Sequence, residues 1–271
     1  MPDGPLAGLP FDTLKLGDRL VVEATAVSYT PSLQLLIDLE DRRATYRALG
    51  RGKILAIGAP SFATAPPTSP LHGWTELPGS RAEIDDLEQR YGLQEGRTVF
   101  SGVNATEATL RQLDRGGVLA NYETIYFSTH ATIDMATPER NAIILMGDGR
   151  DADNDGFVRA AEIMALHARA DLVVVSACES GVGTWLDGEG AMGLPYALFA
   201  SGAASTLLTH WSVPDRSSSA FMARLFDKID KGVDPALALR QTKLDFLTGK
   251  AGVNWGAAGF WAPFDLFGAT R

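Results

Sequence analysis

Cysteine is nearly absent: the chain of 271 residues carries one, Cys178. A single thiol cannot close an internal disulfide or build a cysteine-rich zinc site, so the expectation is a protein of a reducing compartment. Positive charge is also scarce. Lys and Arg number 24 against 33 Asp and Glu, giving a formal net charge of −9 and a pI near 4.9. Binding to nucleic acid draws on clustered cations that neutralise phosphates, so this balance argues against a direct nucleic-acid partner. No apolar run approaches membrane-spanning length, and the first residues lack the charged-then-apolar pattern of a signal peptide. A cytoplasmic location without membrane contact is the reading. The G-x-S-x-G elbow that a serine hydrolase at Ser176 or Ser180 would need is missing, as are a P-loop lysine and a G-x-G-x-x-G turn.

What is present is enough apolar material, 45%, to bury a full core. The run 53–58 (Lys-Ile-Leu-Ala-Ile-Gly) reads as a buried strand, as do 124–130, 141–146, 170–178 and 205–210, with short strands at 19–23, 26–29, 98–100 and 264–268. Helical patterns fall between them. One is expected over 32–48 with Leu33, Leu36, Ile37 and Leu39 on its apolar side. Others follow from Ser80, where Ser80 and Glu83 have capping-box spacing, and at 104–114, 159–167, 191–201, 214–230 and from Pro235. Residues 61–79, rich in Pro, Thr, Ser and Gly, read as a long exposed loop, and 181–190 as a glycine-rich loop. Strands alternating with helices predict an α/β fold: a doubly wound, mostly parallel sheet flanked by helices on both faces. We expect one domain over 1–271, with 1–50 an amino-terminal strand and helix portion and 51–271 a catalytic core. The abrupt opening Met1-Pro2-Asp3-Gly4-Pro5 is expected to mark a fragment of a longer protein.

The chemistry is expected where two apolar strands end. One finishes on His130 and the other on Cys178, 48 residues later. In open α/β sheets the crevice outside the carboxyl ends of the strands holds the reacting groups. An imidazole beside a thiol lowers its pKa by forming an ion pair, which creates the nucleophile, and the imidazolium can then protonate a leaving amine. The small residues Ala177, Ser180 and Gly181 leave room for a substrate backbone. The amides of Cys178 and of Ala131, after the histidine, are the natural oxyanion donors. Each residue taken alone has a plainer reading, as a core thiol or a satisfied structural imidazole. Their joint spacing matches caspases, whose histidine precedes the cysteine by about 50 residues.

Further stretches carry a specific resemblance. They are Pro2-Asp3-Gly4-Pro5-Leu6 with Leu9-Pro10-Phe11, Tyr29-Thr30-Pro31-Ser32, Ser128-Thr129-His130, and Asp155-Gly156 with Ala161-Glu162-Ile163. Val175-Ser176-Ala177-Cys178-Glu179, Gly188-Glu189-Gly190, His210-Trp211-Ser212-Val213 before Asp215, and Phe260-Trp261-Ala262-Pro263-Phe264 complete the series. In this order, along almost the whole chain, they resemble a CHAT domain. That caspase-like peptidase family is related to separase and gingipain and is often fused to tetratricopeptide repeats.

The resemblance implies a caspase-like fold, a His130–Cys178 dyad, and a cysteine endopeptidase that cleaves a protein partner under the control of a separate sensor or repeat module. It departs from the family at Ala131, where glycine is usual; a glycine-only backbone there would compromise the oxyanion site, but alanine adds one methyl and tolerance is expected. The alternative is a catalytically silent caspase-like scaffold that binds a partner strand in the same groove. The resemblance also implies that substrate pairs along Trp211, Ser212 and Val213. An acidic residue near that edge, Asp215, Asp187 or Glu189, would then take a basic side chain. Asp215 reads equally as the cap of the helix after Pro214, and Asp187 and Glu189 as solvated loop charges. No cofactor is expected. Asp151, Asp153, Asp155 and Glu162 have EF-hand calcium-loop spacing with Gly156 at its turn, but a strand precedes them where an EF-hand needs a helix.

Overall fold

The computed structural model describes residues 6, 9–134, 137, 140–147, 154–177, 184–186, 190–252 and 254–270. Ahead of the sheet lie a short hairpin, β1 (Lys15–Leu16) and β2 (Arg19–Leu20), one helical turn, α1 (Val21–Ala24), and helix α2 (Leu33–Arg47). Then come β3 (Gly52–Pro60), α3 (Pro78–Tyr91), β4 (Val99–Gly102), α4 (Glu107–Arg115) and β5 (Tyr122–Ser128). A small antiparallel sheet follows from β6 (His130–Thr132), β7 (Ala142–Ile144) and β8 (Phe157–Arg159). The rest comprises α5 (Ala160–Met164), β9 (Leu172–Ser176), the antiparallel pair β10 (Thr184–Leu186) and β11 (Gly190–Met192), α6 (Leu194–Ala200), β12 (Ser205–Thr209), α7 (Asp215–Ile229), α8 (Pro235–Leu247) and β13 (Phe264–Gly268).

The central sheet has six strands in the order β4-β3-β5-β9-β12-β13, parallel throughout except for β13, which runs antiparallel at one edge. Its inner strands are apolar on both faces, the mark of a sheet covered on both sides. Ile57, Ile125, Phe127, Val173 and Val175 face a core closed by α2, α4, α5 and α6. Ile54, Tyr126, Leu172, Val174 and Leu207 face a second core closed by α1, α3, α7 and α8. Each fully buried aliphatic or Phe side chain contributes about 1.5–3 kcal/mol, so the sheet is the principal source of stability. The expected doubly wound architecture is the one observed.

Several local expectations are overturned. The strand expected at 19–23 stops at Leu20, because the Glu23 carboxylate accepts the Leu20 amide at 2.7 Å and satisfies a free N–H at the start of a helical turn. Of 26–29 only Tyr29 pairs, in a single bridge to Phe267. In α2 the inward side is Leu35, Leu39 and Tyr46, while Leu33 and Ile37 are exposed. Residues 61–79 are not an exposed loop. Phe62, Leu71 and Ala65 are buried in a third small core with Ala142, Ile144 and Met146, and Trp74 packs on it.

A buried ionic network joins the amino-terminal segment to the outermost strand. Asp12, Lys243 and Asp265 are all at most 3% exposed. The Lys243 ammonium lies 2.5 Å from Asp12 and 3.6 Å from Asp265, and Asp265 lies 3.2 Å from His210 Nδ1.

Candidate active site

The register of the sheet fixes where the histidine and cysteine segments go. β5 and β9 are parallel neighbours with Ser128 directly opposite Ser176. Two residues beyond Ser128 is His130, and two residues beyond Ser176 in the sequence is Cys178. Both segments therefore leave the same end of the sheet from the same level, the end where α/β folds place their ligands. The Thr129 amide donates to the Ser176 carbonyl at 3.1 Å, extending the pairing one step past the strands, and the Thr209 hydroxyl donates to the Ala177 carbonyl from β12. Cys178 itself lies outside the described residues, as do 179–183, Asp187 and Glu189.

His130 opens β6 opposite Ile144 and is half-buried. Its Nε2 donates to the Thr75 carbonyl at 2.9 Å. A carbonyl only accepts, so Nε2 carries the proton and Nδ1 is the basic atom of the neutral ring. The ring is wedged against Trp74, edge to face at 5.0 Å between centroids, and against Phe62 at 5.5 Å. The segment expected to be a free loop thus orients the imidazole.

Ala131 lies in extended strand backbone opposite Ile143. Among the described residues, positive φ at a non-glycine occurs only at Ala59 and Arg169, so the backbone at 131 makes no demand for glycine.

A small cavity of about 40 Å³ opens at this end of the sheet, between β5, β9 and the start of α7. Its floor is Glu83, 4% exposed and buried against four hydroxyls. Tyr126 and Ser128 donate to its Oε2 at 2.8 and 2.6 Å, and Ser176 and Ser218 approach Oε1 at 3.0 and 3.4 Å. Burial outweighs these hydrogen bonds and, with Asp215 nearby, pushes the Glu83 carboxyl up to about 7. Asp215 and Val213 line the same cavity. Asp215 does not cap its own helix: its carboxylate accepts the amide of Gly79 at the start of α3. Ser80 and Glu83 do not form a capping box either, because α3 begins at Pro78. Ser80 instead donates to the Ser128 carbonyl at 2.5 Å and accepts the Ala59 amide at 3.0 Å.

β12 lies between β9 and β13, and the chain leaves the sheet after Thr209. The His210 amide donates to the Pro263 carbonyl at 2.7 Å, the Trp211 indole N–H reaches the Gly259 carbonyl at 3.4 Å, and Ser212 is exposed. Of the calcium-spaced acids, Asp151 and Asp153 lie outside the described residues. Asp155 is ion-paired to Arg159 at 2.6 Å and Glu162 to Arg111 at 2.5 Å.

A family model described as the CHAT domain matches residues 1–269. The chain belongs to the CHAT-domain family. No curated protein matches it in sequence. Among solved structures, this CHAT domain is similar to two crystal structures of the Saccharomyces cerevisiae separase–securin complex. The TM-scores are 0.60 and 0.58 at 16% and 15% identity, in each case over 97% of this chain and 15% of that chain. It is also similar to the Arg-specific cysteine proteinase gingipain R, with TM-score 0.49 and 12% identity over 88% of this chain and 51% of that one. The separase likeness establishes a caspase-like fold and no more, since this CHAT domain spans about 15% of the separase chain. No helix among its described residues is long and apolar enough to cross a membrane.

Proposed function

We propose that this CHAT domain is a cysteine endopeptidase of the caspase type, with Cys178 as nucleophile and His130 as general base and then acid. The observation that carries the reading is the pairing of Ser128 with Ser176, which sends the His130 and Cys178 segments off the same end of adjacent strands. In the reaction, Nδ1 of His130 takes the thiol proton and the thiolate sulfur bonds to the scissile carbonyl carbon. The amides of Ala131 and Cys178 receive the oxyanion. Collapse breaks the C–N bond, the imidazolium returns its proton to the leaving amine, and water then hydrolyses the thioester. The Thr75 carbonyl keeps the ring in the tautomer that this sequence requires.

The substrate is a protein segment lying past the end of β12 along Trp211, Ser212 and Val213. Asp215, in the cavity beside that path, receives a basic side chain before the cut, with Asp187 and Glu189 as further acidic groups. Control by a separate sensor or repeat module belongs to the same reading.

A peptidyl electrophile with Arg at its reactive end provides the test, read by intact mass. Because the chain has one cysteine, a single adduct reports Cys178 alone. Wild type is expected to be labelled and to cleave a protein substrate, C178A to do neither, and H130A to react about 100-fold or more slowly. Identical behaviour of wild type and C178A toward both probe and substrate would replace the enzyme with a scaffold that merely holds a strand.

A further inference from the structure

Among the buried titratable groups that the dyad reading does not use, Glu83 is the one that touches both strands leading to the dyad. Glu83 comes from α3, a different element from either member of the dyad, yet one carboxylate accepts from Ser128 on β5 and from Ser176 on β9. Those serines are the last residues of the two strands that deliver His130 and Cys178. No ion pair to Glu83 occurs among the described residues, and the charge that acts on it is the like-signed Asp215. A buried carboxyl held by hydroxyls alone is a poor stabilising device, because a hydrophobic residue of similar size would avoid its desolvation cost.

We propose that Glu83 is a positioning residue: its carboxylate ties the ends of β5 and β9 together and so sets the relative placement of His130 and Cys178. The inference rests on the dyad reading above. A carboxylate spans this junction because each oxygen accepts from a different strand, Oε2 from β5 and Oε1 from β9. Protonation turns one oxygen into a donor and weakens one side of the tie. Of the groups facing it, Tyr126 from β5 and Asp215 from α7 are titratable, and Asp86 lies one turn along α3. β9 and β3 present hydroxyl and apolar side chains there. The Tyr126 hydroxyl, fully buried, is pushed up and stays neutral, so the tie changes state with Glu83 itself.

The experiment is alkylation of the sole cysteine by iodoacetamide across pH, with thermal melting of every variant alongside. In wild type, Cys178 is expected to react at mildly acidic pH at least tenfold faster than a free thiol, and H130A to abolish that advantage. Above about pH 7, E83A is expected to slow alkylation about tenfold with little loss of melting temperature, since removal of the buried charge offsets the hydroxyls it leaves without their acceptor. E83Q, whose amide still bridges the two serines, should match wild type below about pH 7, fall between E83A and wild type above it, and so lack the wild-type step near neutral pH. If H130A alkylates like wild type, the dyad reading fails. If H130A is slow while E83A keeps the wild-type rate and pH profile, Glu83 positions nothing. If E83A loses reactivity only in proportion to lost stability, its role is structural and the inference is overturned.

Discussion

Replacing Glu83 by glutamine should stabilise the protein, and by an amount that depends on pH. The glutamine keeps the shape and the bridging position between Ser128 and Ser176 but cannot ionise. In wild type, burial raises the Glu83 carboxyl from 4.5 to about 7. Well below pH 4.5 the group is protonated in the folded and the unfolded chain alike, and its titration has no effect on stability. Between pH 4.5 and about 7 the unfolded chain gives up the proton while the folded one retains it, so native stability falls. Above about pH 7 the loss is complete, and a shift of this size corresponds to about 3 kcal/mol. The advantage of E83Q over wild type should therefore grow by about 3 kcal/mol between about pH 4 and about pH 8. For a chain of this size that is roughly 6–12 °C in melting temperature. Melting followed by tryptophan fluorescence over this range measures it, and subtracting wild type from variant cancels the titrations they share. A difference that stays flat with pH would show that Glu83 titrates like an exposed glutamate.

Two other perturbations test the surroundings of the dyad. W74A removes the ring that packs edge to face with His130. It should cost about 2 kcal/mol, less than for a fully buried tryptophan, and slow electrophile labelling of Cys178 about tenfold. Labelling at the wild-type rate would mean the imidazole needs no such wall. D215N keeps an acceptor for the Gly79 amide but loses its charge. Cleavage after basic residues should fall tenfold to a hundredfold while the melting temperature stays near wild type, read as kcat/KM on paired peptides with Arg or norleucine before the cut. Equal losses on the two peptides would remove Asp215 from recognition.

The sheet was legible because its strands are continuous apolar runs bounded by glycine, proline or polar turns, as in 53–58 and 170–178, and the alternation with helices leaves little choice of architecture. The antiparallel direction of β13 carries no local signal; it depends on where the chain returns after α8. The segment 61–79 misleads because its punctuation by Pro and Gly outweighs Phe62, Leu71 and Trp74, whose spacing follows neither period 2 nor period 3.6. Ser80 and Glu83 misled differently. Their spacing is that of a cap, but they lie on the same helical stripe as Ile84 and Leu87. Polar residues on an apolar stripe were the available sign that this face meets something other than core. His130 was assigned by its place at a strand end, while the Thr75 carbonyl that orients it is a main-chain group that no side-chain motif encodes.

The salt link between Asp12 and Lys243 makes the early part of this chain a keystone. Removal of everything up to Thr13 would strand an ammonium beside a lone aspartate on the far rim of the sheet, with His210 next in line at the threshold of the groove. The connection runs through helix α8, so a change at Asp12 reaches His210 by way of Lys243 and then Asp265 on the outermost strand.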